Sequence, residues 1–209
     1  MNNQNKIILF AGGLLLIVIA GMLFLETSRD KSVVPKESSA EVGFARDMSI
    51  HHQQAVDMSF LIRERTTNQE IRNFAYDIIN TQATQRGMML GWLELWNLPL
   101  TTTETPMAWM ADEHMSGDME VMRETFTPGA IMPGMATPEE MERLRASANI
   151  EAEKLFLELM IRHHQGGVLM AQGLVDQSEH EDMVRLAQTM VDGQQGEIEY
   201  MQGLLKRYK

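Results

Sequence analysis

The chain has 209 residues, no cysteine, and a net charge of −11 that results from 29 acidic and 18 basic side chains. Without cysteine it can form no disulfide, thiolate zinc site or iron–sulfur cluster, and its acidity argues against nucleic acid as a partner, because like charges repel. Methionine is unusually frequent, since its 19 residues outnumber Phe, Tyr and Trp combined.

The N-terminal segment is predicted to enter a membrane. Residues 7–25 carry no charged side chain, and as an α-helix they would reach about 28 Å, close to the hydrocarbon thickness of a bilayer. We expect residues 1–25 to be a membrane anchor or a signal segment. Around Ala20 and Gly21 the small residues that a signal peptidase needs match poorly, which favours an uncleaved, single-pass transmembrane helix.

The orientation of this anchor is predicted from two opposing signals. One basic side chain precedes the span and three follow it, which by the positive-inside rule argues against export. The very short tail before the span and the polar, charge-balanced linker at residues 26–43 favour export. We therefore expect the rest of the chain on the periplasmic or extracellular side of the cell membrane.

Residues 44–209 contain the same helical unit twice, as copies 44–96 and 156–208 that align at a constant offset of 112. In each copy the residues of one helix face, which include one histidine and are otherwise nonpolar, recur at alternating steps of four and three. A polar break follows at residues 66–69 in the first copy, which indicates a helical hairpin. Two hairpins predict an all-α fold, an antiparallel four-helix bundle. The identities that fix the alignment are Phe44, Met48, His51, His52, Gln53, Val56 and Met58 with Phe156, Met160, His163, His164, Gln165, Val168 and Met170.

The hairpin geometry also predicts which residues face each other across each helix pair. If the turns are centred near 66.5 and 178.5, a polar and thioether layer crosses the middle of the bundle where leucine would be usual. The predicted pairs are His51 with Gln82, Met48 with Gln85, His163 with Gln194, and Met160 with Glu197.

A methionine-rich helical insert, residues 97–155, separates the two copies. Pro106 is suited to open a helix, on which His114 and Met115 are further candidate ligands. Thr137 and Glu140 form a predicted capping box that opens another short helix.

The residue types at the centre of each copy predict a soft metal. A ferritin-like di-iron site needs Glu three positions before His on two helices, whereas this chain has Met in that place. Thioether and imidazole favour Cu(I), with Ag(I) or Cu(II) as other occupants, over iron or manganese. The candidate metal ligands are His51, His52, His163, His164, Met48, Met58, Met160, Met170, His114 and Met115.

Two other interpretations remain open at this point. Methionine at helix seams can be plain core filling, and a core histidine that faces glutamine can be a satisfied hydrogen-bond pair that only fixes the helix register. The Met-rich insert can equally be an adaptable surface that docks a partner protein. No general acid or base constellation is visible, so we expect no enzymatic activity and regard a redox enzyme as the weakest hypothesis.

Three segments resemble the bacterial domain-of-unknown-function family 305: FARDMSIHHQQAVDMS, FLELMIRHHQGGVLMAQ and, between them, MPGMATPEEMERL. The resemblance covers nearly all of residues 44–209 and implies a ferritin-like fold. It also implies copper binding, because the family includes a cyanobacterial periplasmic copper-binding protein tied to copper resistance. The chain departs from the family pattern at Gln85, where glutamate is expected as at Glu197, and at Gly166 and Gly167, where glutamate and alanine are common.

The sequence thus predicts an extracytoplasmic, membrane-tethered protein that binds Cu(I) or Ag(I) for buffering, resistance or transfer to a partner protein. The alternative hypothesis is a structural or partner-docking helical bundle with a hydrogen-bonded His and Gln layer and no metal.

Overall fold

The computed structural model describes residues 34–110 and 126–208, and within these ranges the chain is helical and has no β-strand, as predicted. None of the helices in this part of the chain is long and apolar enough to cross a membrane. The predicted span at residues 7–25, together with His114 and Met115, lies outside the described residues. The α-helices are α1 (Ala40–Arg65), α2 (Gln69–Leu95), α3 (Pro138–Ala146), α4 (Asn149–Gln177) and α5 (Glu181–Leu205), with 3-10 helices at Ala108–Met110 and Lys206–Tyr208.

The hairpins α1–α2 and α4–α5 have the same turn at the same place. Residues 66–68 connect the first pair and residues 178–180 the second, so the helix ends repeat at the offset of 112 seen in the sequence. At the first turn the side chain of Asn68 accepts a hydrogen bond from the backbone N–H of Glu70. This bond satisfies one of the N–H groups that the first turn of a helix leaves without a partner. Turns this short make each pair of helices antiparallel.

Helices α1 and α4 form the inner pair and also run antiparallel. Phe44 near the start of α1 shares a buried apolar cluster with Met170 near the end of α4. At the other end, Met58 of α1 shares a second cluster with Phe156 of α4. The apolar core is therefore divided into two clusters, and the centres of α1 and α4 lie between them.

Helix α1 begins at Ala40, inside the stretch predicted as linker, because its first turn is already packed. Val42 is fully buried, and a Cβ atom added at Gly43 would lie 2.5 Å from the Trp109 ring. Glycine at position 43 is therefore what lets this indole lie against the helix backbone.

The prediction that Pro106 opens an α-helix is wrong at its first turn. Residues 106–107 form a turn in which Met107 has a φ of +68°, and a short 3-10 helix follows. The Asp47 carboxylate holds this turn, since it accepts hydrogen bonds from the Met107 N–H at 2.7 Å and from the Trp109 indole N–H at 2.9 Å. A carboxylate on α1 thus fixes a backbone conformation that ordinary helix signals do not predict.

The capping box at Thr137 and Glu140 is present as predicted. The Thr137 hydroxyl accepts from the Glu140 N–H, and the Glu140 carboxylate accepts from the Thr137 N–H. The same carboxylate accepts two hydrogen bonds from the Arg162 guanidinium of α4. This ion pair fastens the start of α3 to the helix that carries the second histidine pair.

Candidate metal centre

Four histidines, two from each inner helix, lie together between the two apolar clusters. His51 and His52 belong to α1, His163 and His164 belong to α4, and all four side chains have 0% exposure to solvent. Because α1 and α4 are antiparallel, the two pairs meet where the helices cross. The structure thereby brings together the residues that the sequence predicted to turn inward.

His51 and His163 are the central contact of this layer. Their ring centroids are 3.8 Å apart and their planes are tilted by 34°. His163 Nε2 lies 3.0 Å from the backbone oxygen of His51, and His51 Nε2 lies 3.1 Å from the backbone oxygen of Pro133 in the insert. Each ring is therefore anchored to a carbonyl group of a different segment.

His52 and His164 are anchored to the outer helices instead. His52 Nε2 is 2.8 Å from the Gln85 side-chain oxygen on α2, and His164 Nε2 is 2.6 Å from the Glu197 carboxylate on α5. The two contacts are equivalent in the duplicated unit, but the first ends on an amide and the second on a carboxylate. Because Gln85 stands where the family pattern has glutamate, His52 bonds a neutral amide whereas His164 bonds a carboxylate.

The predicted facing pairs are shifted by about one helical turn. The sequence arithmetic placed Met48 opposite Gln85 and Met160 opposite Glu197, whereas these two side chains contact His52 and His164, four residues further along α1 and α4. Gln82 and Gln194, which were placed opposite His51 and His163, have no side-chain hydrogen-bond partner among the described residues. Side chains lean toward the N-terminus of their own helix. In an antiparallel pair the side chains of the two helices tilt in opposite directions. Two side chains that touch therefore belong to residues later in each helix than the residues whose Cα atoms are level with each other.

The anchoring bonds determine which nitrogen of each ring carries the proton. Carbonyl and carboxylate oxygens only accept hydrogen bonds, so Nε2 of His51, His163 and His164 must be the donor, and the Gln85 oxygen allows the same for His52. In a neutral imidazole the other nitrogen, Nδ1, then carries the lone pair. All four Nδ1 atoms are shielded from solvent and have no hydrogen-bond partner within residues 34–110 and 126–208.

Burial keeps the imidazoles of His51, His52 and His163 uncharged. It lowers the pKa of His51 to about 3 and that of His52 to about 4, and the repulsion that neighbouring imidazolium charges would exert adds to the shift. For the same reasons the pKa of His163 lies well below its ordinary value. At neutral pH these rings are in the form that can donate a lone pair to a metal.

The four predicted thioether ligands flank the histidine layer on both sides. Met48 and Met170 lie in the cluster at the start of α1, whereas Met58 and Met160 lie in the cluster at its end. All four are fully buried. Met48 and Met160 each lie one helical turn before the histidine of their copy, so the antiparallel arrangement puts one thioether on either side of the layer.

A segment of the insert, residues 132–137, completes the site and was not predicted as part of it. The whole segment is buried. The Gln54 side chain of α1 bonds both backbone groups of Ala136, accepting from its N–H at 2.7 Å and donating to its oxygen at 2.9 Å. On α4 a Cβ atom added at Gly166 would overlap the backbone oxygen of Pro133. Glycine at this position therefore admits the backbone that anchors His51.

Histidine and carboxylate groups alone do not make a finished metal site here. Among the described residues, no three His, Asp or Glu side chains are grouped so that they could hold a metal ion. Any soft-metal site at this position would therefore need the sulfur atoms of the flanking methionines as well as imidazole nitrogen.

Comparison with known protein families decides the family of the chain. The family model described as "Domain of unknown function (DUF305)" matches residues 41–205. The chain belongs to the DUF305 family. The resemblance inferred from the paired HH motifs is thereby confirmed. None of the curated proteins matches the chain.

Solved structures of DUF305 proteins have the same fold. A "putative secreted protein DUF305" from Streptomyces coelicolor is 46% identical, with a TM-score of 0.72 over 82% of this chain and 95% of that protein. A DUF305 fragment from Deinococcus radiodurans is 34% identical, with a TM-score of 0.63 over 80% of this chain and 96% of the fragment.

CopM in its Cu(I)-bound form is a third structure similar to this DUF305 chain. It is 22% identical, with a TM-score of 0.60 over 81% of this chain and 97% of CopM. CopM has also been solved with Cu(II) and with Ag. At this identity the likeness is one of fold.

Proposed function

We propose that the chain is an extracytoplasmic, membrane-tethered copper-binding protein that holds Cu(I), or its mimic Ag(I), for buffering, resistance or transfer to a partner protein. One observation carries the proposal: four buried imidazoles each engage Nε2, while no Nδ1 has a partner among the residues that the structure describes. Metal-bound histidine characteristically donates its second ring N–H to a carbonyl or carboxylate oxygen. The ligands proposed are His51, His52, His163, His164, Met48, Met58, Met160 and Met170, with His114 and Met115 of the insert as further candidates.

The donor set fits copper better than a harder metal. The oxygen atoms that contact the histidine layer, on Glu197, Gln85 and two backbone carbonyl groups, are each already engaged by a histidine Nε2. The donors left for a metal are the imidazole Nδ1 atoms and the thioether sulfurs of the flanking methionines. Soft sulfur with imidazole favours Cu(I), whereas iron, manganese and magnesium prefer oxygen. A bundle of neutral donors also suits a cation of single charge, because desolvation costs less for one charge than for two.

The comparisons support this proposal by fold and by location. CopM, solved with Cu(I), Cu(II) and Ag, has a similar fold, in keeping with a ferritin-like, antiparallel four-helix bundle as the scaffold. The description of the Streptomyces coelicolor protein as secreted agrees with export of this domain behind the apolar segment 7–25. We propose binding and not catalysis as its activity.

A competition titration of the full-length protein with a chromophoric Cu(I) chelator under reductant tests the proposal, with Zn(II) as the comparison metal. We expect a Cu(I) dissociation constant below about 1 μM, which corresponds to about −8 kcal/mol, and weaker binding of Zn(II). Replacing all four histidines by Ala should weaken Cu(I) binding at least about 100-fold. Weaker binding in the unmodified protein, or an unchanged constant in the variant, would overturn the proposal.

The thioethers need a separate variant. We expect Met48→Leu with Met160→Leu to weaken Cu(I) binding while the fold persists, because Leu and Met have nearly the same volume. Met88→Leu is the matched control, since Met88 is exposed on α2 and should leave the constant unchanged. If the double variant and the Met88→Leu control had the same effect on Cu(I) binding, Met48 and Met160 would not be metal ligands.

The structural alternative is also favoured by a specific observation. No three His, Asp or Glu side chains of the described part of the chain form a metal-binding group, and each of the four histidines of the central layer already has one hydrogen bond. If the layer only fixes the helix register, the titration will give no submicromolar Cu(I) binding, and the four-histidine variant will differ only in stability.

A further inference from the structure

A second group of soft donors lies at the turn between α4 and α5. Along α4, the 14 residues from His164 to Ser178 correspond to about 20 Å, so this turn is separate from the histidine layer. The ring of His180 lies against two tryptophans at the end of α2, with centroid distances of 5.5 Å to the C-cap residue Trp96 and 6.4 Å to Trp92. The two indole planes are nearly parallel, at 9° and 6.5 Å. The imidazole therefore packs against two nearly parallel indole rings.

The His180 ring has no capping role that would explain its position. It occupies the N-cap position of α5, but its side chain makes no capping hydrogen bond. Its Nδ1 atom is shielded from solvent and has no hydrogen-bond partner in the described part of the chain. A polar atom that is buried without a partner costs free energy, so a ligand for this nitrogen would be stabilising.

The backbone of the turn is fixed to the first turn of α1. The His180 N–H donates to the Ser178 hydroxyl at 3.0 Å, and that hydroxyl donates to the Glu41 carboxylate at 2.5 Å. Burial raises the pKa of Glu41, but the hydrogen bond from Ser178 and the nearby His180 act in the opposite direction, and that pKa lies below its ordinary value. A carboxylate that is ionised at neutral pH thus lies beside the imidazole and would offset the charge of a bound cation.

Thioether sulfur belongs to the same buried cluster. Met183, in the first turn of α5, and Met89, one turn before Trp92, share this cluster with Trp96. Indole faces attract cations through their quadrupole, and imidazole with thioether favours a soft metal. We propose that His180, Trp92, Trp96 and Met183 form a second site for a soft monovalent cation, Cu(I) or Ag(I), at this end of the bundle. The inference is independent of the central histidines.

Tryptophan fluorescence can test this site selectively. The chain has three tryptophans, and Trp109→Phe leaves only the two at the proposed site. In full-length protein with this change, we expect Ag(I) to quench the tryptophan emission in a saturable way. His180→Asn on this background keeps a residue that is favoured at an N-cap but removes the imidazole donor. It should weaken the quenching at least about tenfold, which corresponds to about 1.4 kcal/mol.

Two results would overturn the inference: no quenching by Ag(I), or identical quenching curves with and without His180. In either case the imidazole and indoles are aromatic packing only. The double variant His51→Ala with His163→Ala should retain the quenching, so failure of the central site and failure of this one are distinguishable. In the unmodified protein, the His180 side-chain nitrogen resonance should shift with Ag(I), and an unchanged resonance at saturation would also reject the site.

Discussion

His163 donates its Nε2–H to the backbone oxygen of His51, but His51 does not return the bond to α4 and instead donates to Pro133. A duplicated unit with antiparallel inner helices could form two equivalent bonds. The 132–137 segment replaces one of them, because Gly166 lets its backbone approach α4. The insert is therefore part of the histidine layer and sets the orientation of one of its rings.

Gly166→Ala should disturb this arrangement. The added Cβ atom would overlap the Pro133 carbonyl group, whose atoms belong to the backbone and cannot turn aside. We expect a loss of about 1–3 kcal/mol in the free energy of unfolding, as is typical when atoms are forced into a packed site. Urea denaturation of the two proteins measures the difference.

Gly193→Ala is the matched control for that change. Gly193 lies in the middle of α5, and no atom lies within 4 Å of a Cβ added there. Alanine should stabilise the helix by about 0.5–1 kcal/mol relative to glycine. If both changes stabilised the protein, the 132–137 segment would not be packed against α4 as described.

The sequence predicted the hairpins and the inward histidines because both depend on local patterns. The alternating steps of four and three fix the buried face of a helix, and the Thr137 capping box needs only four residues. The residues facing Gln85 and Glu197 were predicted one turn too early, as Met48 and Met160 instead of His52 and His164, because side-chain lean accumulates across two helices. The contact of His51 with the Pro133 carbonyl oxygen was not predicted, because every residue has a backbone carbonyl and the sequence does not mark which one will be used. The sequence feature that could have indicated this contact is Gly166, a glycine at a position where the family commonly has a larger residue.

Acidification should destabilise the fold well above the range in which carboxylates titrate. Burial depresses the pKa of His51, His52 and His163. Below pH 6.5 the unfolded chain therefore binds protons that the folded chain cannot bind, and stability falls as the pH falls. Each such histidine contributes a slope of about 1.4 kcal/mol per pH unit. Denaturation at pH 7.5, 6.0 and 5.0 measures this slope, and a flat profile would contradict the burial of neutral rings.

A variant separates the histidine contribution from that of the acidic groups. The pKa values of Glu140 and Glu153 are lowered from 4.5, by hydrogen bonds that outweigh the opposing effect of burial. The stability that these carboxylates contribute is therefore lost only below about pH 4.5, outside the window. His163→Gln should reduce the slope of the unfolding free energy against pH, between pH 6.5 and 5.0, by about 1.4 kcal/mol per pH unit, which is the contribution of one proton. An unchanged slope would assign the titration to other groups.

The partners of His52 and His164 give a prediction that depends on the proposed copper site. Glu197→Gln replaces the carboxylate 2.6 Å from His164 Nε2 by a neutral amide, which makes the imidazole less basic and a weaker donor. We expect Cu(I) binding to weaken about tenfold, the lower end of the usual effect of such partners. Gln85→Glu gives His52 a carboxylate and should act in the opposite direction. Chelator competition on the full-length protein measures both constants.

Net charge is the competing explanation for both changes, because each alters it by one unit. Glu199→Gln changes the charge by the same amount as Glu197→Gln on the same helix, but Glu199 is exposed. Charges that act through solvent are screened within about 8–10 Å at physiological ionic strength. We therefore expect Glu199→Gln to leave the Cu(I) constant within about twofold. If it weakened binding as much as Glu197→Gln, the contact between Glu197 and His164 would have no part in metal affinity.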